Sequence, residues 1–144
     1  MAEPPRGVLD VNVVLDVLQR REPWYRDSAA TLARAESGRL RAMLPGHAVT
    51  TLFYLYAKHA SRDAARMRVA ELLRFCDVVA VDRTVVATAL TLPYGDLEDA
   101  VLIAAAERAE ADYVVTRDHA LFPAGPVPVV TPGELLALLG DPSG

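Results

Sequence analysis

Five short apolar runs constrain this chain more than any other feature: "GVLDVN" (7–12), "RAML" (41–44), "DVVAV" (77–81), "YVVT" (113–116) and "VPVV" (127–130). None alternates apolar with polar residues, as a strand with one wet face does, so each reads as a strand covered on both sides. Helical patterns fill the intervals at 13–21, 28–40, 47–60, 62–76, 83–92, 97–110 and 132–140, the second ending near Gly38. Strands alternating with helices predict an α/β fold, a three-layer α/β/α sandwich with a central parallel sheet. The 144 residues predict one domain, 1–144, with 1–6 and 140–144 frayed and no repeat or internal linker.

In a sheet of this kind, sites form at the carboxyl ends of the strands. The acids fall there. Asp10 ends the first run, Asp118 follows "YVVT", and Asp96, Glu98 and Asp99 open the helix that leads into that strand. Two carboxylates ~5 Å apart at an effective dielectric of about 20 repel by roughly 3 kcal/mol. Helix capping explains part of the cluster, since Asp96 is a good N-cap and Asp99 complements the helix dipole. Asp10 and Asp118 each have a similar reading as cap or turn residues. Capping needs one or two acids, however, and Asp10, Asp96, Asp99 and Asp118 together at strand ends and a helix mouth are what a hard divalent cation, Mg²⁺ or Mn²⁺, requires.

The bulk properties narrow the classes. Residues 1–83 carry 13 Arg/Lys against 10 Asp/Glu, and residues 84–144 carry 2 against 9. An acidic total argues against generic nucleic-acid coating but admits an acidic metal centre with a basic rim. The single Cys76 excludes an internal disulfide and a cysteine zinc site, and reads as a core thiol. No stretch has 18 uninterrupted apolar residues, and the N-terminus shows no signal-peptide pattern, so the expectation is a cytoplasmic protein with no membrane contact. His47, His59 and His119 lack ligand spacing and read as structural or surface residues. Trp24, Tyr25, Phe53, Tyr54 and Tyr56 read as core or subunit-interface residues.

"LDVNVVLDVL" (9–18), "HAVTTLFYLYAK" (47–58), "DLEDAVLIAAAERAEADYVVTRD" (96–118) and "VVTPGELLALL" (129–139) occur in the order seen in PIN domains. The chain resembles that family, and within it the VapC-type toxin ribonucleases of bacterial toxin–antitoxin pairs. The resemblance implies metal-dependent endoribonucleolytic hydrolysis leaving a 5′-phosphate and a 3′-hydroxyl. It implies Asp10, Asp99 and Asp118 as metal ligands, Asp96 as a further ligand or water-orienting group, and Asn12 and Thr116 as supporting polar residues. In such a site Mg²⁺ or Mn²⁺ activates the water, and no nucleophilic side chain is needed. Many family members carry a Glu where this chain has Thr51; Asp96 or Asp16 are the sequence's substitutes. Lys58, Arg62 and Arg66 recur every four residues and would form a phosphate-facing ridge if one helix continued through them. Arg117 is expected at a phosphate or an inter-subunit contact. The resemblance further implies an RNA substrate, a separately encoded antitoxin that blocks the groove, and a homodimer built from the aromatic-rich helices.

Two other classes share parts of this pattern. A phosphoaspartyl hydrolase would use Asp10 as nucleophile, but such folds want an acid at position 12, where Asn12 stands, and a downstream lysine; Lys58 is the only lysine. A non-catalytic PIN-like module that binds RNA or protein through a degenerate metal site is the stronger rival, because Thr51 replaces an acid.

Overall fold

The computed structural model describes residues 3–118 and 125–140. Each of the five apolar runs supplies a strand: β1 (Arg6–Leu9), β2 (Arg41–Pro45), β3 (Cys76–Val79), β4 (Tyr113–Val115) and β5 (Val129–Val130). They form one sheet in the order β3-β2-β1-β4-β5, and every pairing is parallel. Val8 of β1 lies in register with Met43 of β2 and Val114 of β4. Seven helices accompany the strands among the described residues: α1 (Val11–Leu18), α2 (Tyr25–Glu36), α3 (Gly46–His59), α4 (Arg62–Leu72), α5 (Arg83–Ala89), α6 (Leu97–Arg108) and α7 (Pro132–Leu139).

The period of two along each strand sorts the core into two layers. Leu9, Ala42, Leu44 and Val115 face one side and pack with Val13, Val14 and Leu15 of α1, Leu32 of α2, Leu52 of α3 and Leu135 of α7. Val8, Met43 and Val114 face the other and pack with Leu102, Ile103 and Ala106 of α6. Both faces are apolar, which is why no strand alternates with polar residues. Cys76 is buried in the first layer, where desolvation pushes its thiol up to about 12. That is an inert core thiol, as the sequence predicts.

Some element boundaries differ from the sequence reading. β1 begins at Arg6, inside the stretch expected to fray; its amide donates to Asp112 Oδ2 at 2.8 Å. α2 starts at Tyr25, three residues before the predicted Ser28, with Asp27 in its first turn complementing the dipole. It stops where Gly38 takes φ +80, a left-handed conformation that suits glycine. α6 is buried around most of its circumference: Ala100 through Ala106 are all buried, because α6 is wedged between the sheet and α5, whose Val85 and Ala89 pack on Ala100, Val101, Ala104 and Ala105. The alanines let two neighbours approach one helix from opposite sides.

No helix among the described residues is long and apolar enough to cross a membrane.

Candidate active site

Strand order reverses direction at β1: the chain first builds outward through β2 and β3, then returns to β1's other edge for β4 and β5. Such a switch point opens a crevice beyond the carboxyl ends of the strands. Asp10 follows β1 directly, and its backbone N–H donates to Val115 O of β4 at 2.9 Å, stitching the two strand ends together. Thr116 then extends β4, fully buried, and its hydroxyl donates to Asp10 Oδ2 at 2.9 Å. The same hydroxyl oxygen accepts from the Asp118 N–H at 3.3 Å. Thr116 therefore sets the positions of both acids at once.

The opening of α6 forms the facing wall. Asp96 is its N-cap, with Oδ1 accepting from the amides of Glu98 (2.8 Å) and Asp99 (3.3 Å). Capping thus accounts for Asp96, as local sequence rules anticipate. It does not account for Asp99. Asp10, Asn12, Asp96, Asp99, Thr116 and Asp118 line a single cavity of about 200 Å³, together with His47, Ala48 and Glu98.

The electrostatics are those of crowded carboxylates. Asp99 is pushed up to about 6, first by burial and then by repulsion from Asp96, Asp10, Glu98 and Asp118. Asp10 is also raised, by burial above all and further by Asp118, against the lowering effect of the Thr116 hydrogen bond. Asp10 occupies the N-cap position of α1 but makes no capping hydrogen bond with its side chain. Asp10 and Asp99 are held close to other acids at a standing cost to the fold, a pattern typical of functional positions.

Four sequence-predicted residues lie elsewhere. Asp16 is outside the cavity lining, fully buried in α1, where its Oδ1 accepts from Arg117 Nη1 at 2.7 Å and sits 3.9 Å from Arg21. Arg117 stacks on Trp24, 3.8 Å from the ring centroid. Its guanidinium is thus held between Asp16 and Trp24, with Nε 3.9 Å from Asp118 Oδ2 of the cavity. Lys58 and Arg62 do not share one helix, because the chain breaks at Ala60 and Ser61 starts α4 by accepting from the Ala64 N–H at 3.0 Å. They nevertheless line a common groove with Phe53, Tyr54, Ala57 and Arg66, Lys58 lying 4.5 Å over the Tyr54 ring. His119 lies outside the described residues.

Sequence reasoning missed His47 and Glu98. His47 follows the carboxyl end of β2, the same kind of position that marks Asp10 and Asp118, and that signal was available. Its Nδ1 is buried without a hydrogen-bond partner, and burial lowers its pKa against the opposing pull of Glu98.

The family model for the PIN domain matches residues 6–120. The chain belongs to the PIN-domain family. The matched span of this PIN domain contains Asp10, Asp96, Asp99 and Asp118. Solved structures share its fold. A toxin–antitoxin complex from Klebsiella pneumoniae gives a TM-score of 0.68 at 20% identity, over 88% of this chain and 97% of that one. VapC20 from Mycobacterium tuberculosis, a toxin that cleaves the sarcin-ricin loop, gives 0.65 at 13% identity over 80% and 92%. VapBC2 from Rickettsia felis, bound to a fragment of its promoter DNA, gives 0.65 at 11% identity over 88% and 98%. No curated protein sequence matches the chain.

The donor chemistry of this PIN domain suits a hard divalent cation. The cavity offers carboxylate oxygens and no thiol, and the raised Asp99 is a group whose ionisation a cation would favour. As they stand, no three carboxylate or imidazole groups among the described residues converge closely enough to enclose an ion.

Proposed function

We propose that this single-domain PIN protein is a metal-dependent endoribonuclease acting in the cytoplasm as the toxin of a type II toxin–antitoxin pair. One observation carries the reading: Asp10, Asp96, Asp99 and Asp118 come from three separate segments to one cavity at the switch point, where Asp99 is pushed up to about 6. The cleavage of RNA and the antitoxin complexes recorded for structures of the same fold support it.

Mg²⁺ or Mn²⁺, when bound, supplies an activated water and charge neutralisation for an in-line displacement at phosphorus. The protein's part is placement. Asp10, Asp99 and Asp118 would hold the ion, Asp96 orients α6 while facing the same cavity, and Thr116 fixes the geometry of Asp10 and Asp118 through its two hydrogen bonds. Asn12 contributes a neutral polar group at the rim. Asp16 acts at one remove, by anchoring Arg117 next to Asp118. Lys58 and Arg62 contact substrate phosphates outside the cavity. Hydrolysis leaves a 5′-phosphate and a 3′-hydroxyl.

An open acidic groove also suits an antitoxin that presents a basic side chain to the carboxylates. Tyr54, exposed on α3, contributes to a homodimer interface.

The test is cleavage of labelled RNA by the purified protein with Mn²⁺, with EDTA, and with Asp10→Ala. Cleavage should need the ion and Asp10. No saturable Mn²⁺ binding together with no cleavage would instead establish the non-catalytic reading.

A further inference from the structure

Three helices begin at the cavity, and only two of them begin with acids. Asp10 precedes α1, and Asp96, Glu98 and Asp99 open α6, whereas α3 brings His47 and Ala48 to the lining. The first turn of α3 holds no acid, and Pro45 at its N-cap makes no side-chain cap. The carbonyl oxygen of His47 accepts from the hydroxyls of Thr50 at 2.9 Å and Thr51 at 3.1 Å, so the backbone that carries the ring is fixed. The ring itself has no hydrogen-bond partner among the described residues. Its Nδ1 is sealed from solvent, which leaves Nε2 as the nitrogen open to the cavity.

A neutral imidazole carries one N–H and one lone pair, and burial favours the neutral form of His47. A buried N–H without an acceptor is the rarer orphan, so the lone pair belongs on Nδ1 and the proton on Nε2. That assignment separates two uses of the ring. A histidine that ligates a metal hands its other N–H to an acceptor, and nothing accepts at Nδ1. An Nε2–H in a cavity of carboxylates instead supplies what the lining is short of. No Lys or Arg lines the cavity among the described residues, and the Thr116 hydroxyl already donates to Asp10. We infer that His47 is the substrate contact on the α3 wall, its Nε2–H donating to a non-bridging oxygen of the scissile phosphodiester. The inference rests on the metal-dependent reading above and adds to it a residue that touches the substrate. The carboxylates would hold the ion from the sheet edge and α6, and the neutral donor would receive the phosphate from α3.

The test uses dimethyl phosphate, a small diester with the charge of one RNA linkage, and the protein loaded with Mn²⁺. The ³¹P relaxation of the diester, enhanced by nearby Mn²⁺, reports its binding to wild type, His47→Phe and His47→Gln. His47→Phe fills the space without a donor and should weaken diester binding about tenfold, as expected for one hydrogen bond to a charged group. His47→Gln returns an N–H at similar reach and should recover most of the affinity. Mn²⁺ affinity, measured calorimetrically, should be unchanged in both variants, and RNA cleavage should fall in the same order as diester binding. The melting temperature of His47→Phe in EDTA should not drop, because the orphaned Nδ1 leaves with the ring. Wild-type diester binding by His47→Phe overturns this inference and leaves the metal reading standing. So does weakened Mn²⁺ binding, which would make His47 a ligand, or a lower melting temperature in both variants, which would make it a packing residue. No saturable Mn²⁺ binding by wild type overturns both.

Discussion

The guanidinium of Arg117 donates a 2.7 Å hydrogen bond to Asp16, a fully buried carboxylate 101 residues earlier in the chain. Burial raises the pKa of Asp16, while Arg117 and then Arg21 pull it back down. Its Oδ2 has no partner, so Asp16 depends on Arg117 for most of its compensation. Arg117→Met should therefore destabilise the protein by about 3–5 kcal/mol, the cost of a buried charge deprived of its partner. Adding Asp16→Leu should recover much of that loss, since no charge then remains buried. Urea unfolding midpoints for the three proteins decide it.

Asp99 ties metal affinity to pH. Its pKa is about 6 in the metal-free fold against an ordinary value of 3.8. The folded state thus holds a proton that the unfolded chain has lost between those values, and stability from this group falls as pH rises through the window. A cation requires the ionised form. Mn²⁺ affinity should accordingly drop roughly tenfold from pH 7.5 to pH 5, with proton release on binding. Calorimetry in two buffers of different ionisation enthalpy measures both.

Asp99→Asn separates catalysis from capping. Asp96, not Asp99, accepts the capping hydrogen bonds, so α6 should remain intact. RNA cleavage should fall by ~10²-fold or more, as for loss of one electrostatic group in a site of this kind. The melting temperature in EDTA should rise, because the repulsion from Asp96, Asp10, Glu98 and Asp118 is gone. A variant that is both inactive and more stable is the expected signature.

Two neighbouring tyrosines should behave oppositely. Tyr54 is 58% exposed, whereas Tyr56 packs in the core at 7%. Tyr54→Asp should convert a dimer to a 15.6 kDa monomer with its melting temperature unchanged. Tyr56→Asp should unfold the protein, because it places a carboxylate against Leu52 and Leu72. Size-exclusion chromatography with light scattering reads the first outcome, and circular dichroism the second.

The strands and the strand-end acids were legible because they obey local rules. An unbroken apolar run means two covered faces, and an acid just beyond it points to the crevice. The fates of Arg117 and Glu98 were not legible. Nothing near "TRD" indicates that Asp16 and Trp24 will close around the arginine, and nothing in "DLED" indicates which acid will cross to Thr51. Both contacts depend on how α1, α3 and α6 pack around the sheet, which no sequence window contains. His47 is the intermediate case. Its place after β2 was visible, but its histidine spacing drew attention to pairs rather than to strand ends.

The hydrogen bond from Thr116 to Asp10 spans 106 residues, and this separation orders events during synthesis. Asp10 leaves the ribosome early, but its partner strand β4 and the acid beyond it come only after α6 has been made. A chain interrupted between Val79 and Tyr113 contains β1, β2 and β3 but lacks β4, and so lacks Thr116 and Asp118 to complete the carboxylate cluster. Incomplete chains therefore lack the assembled site, and an inhibitor that recognises the cluster has nothing to grip until the protein is nearly finished.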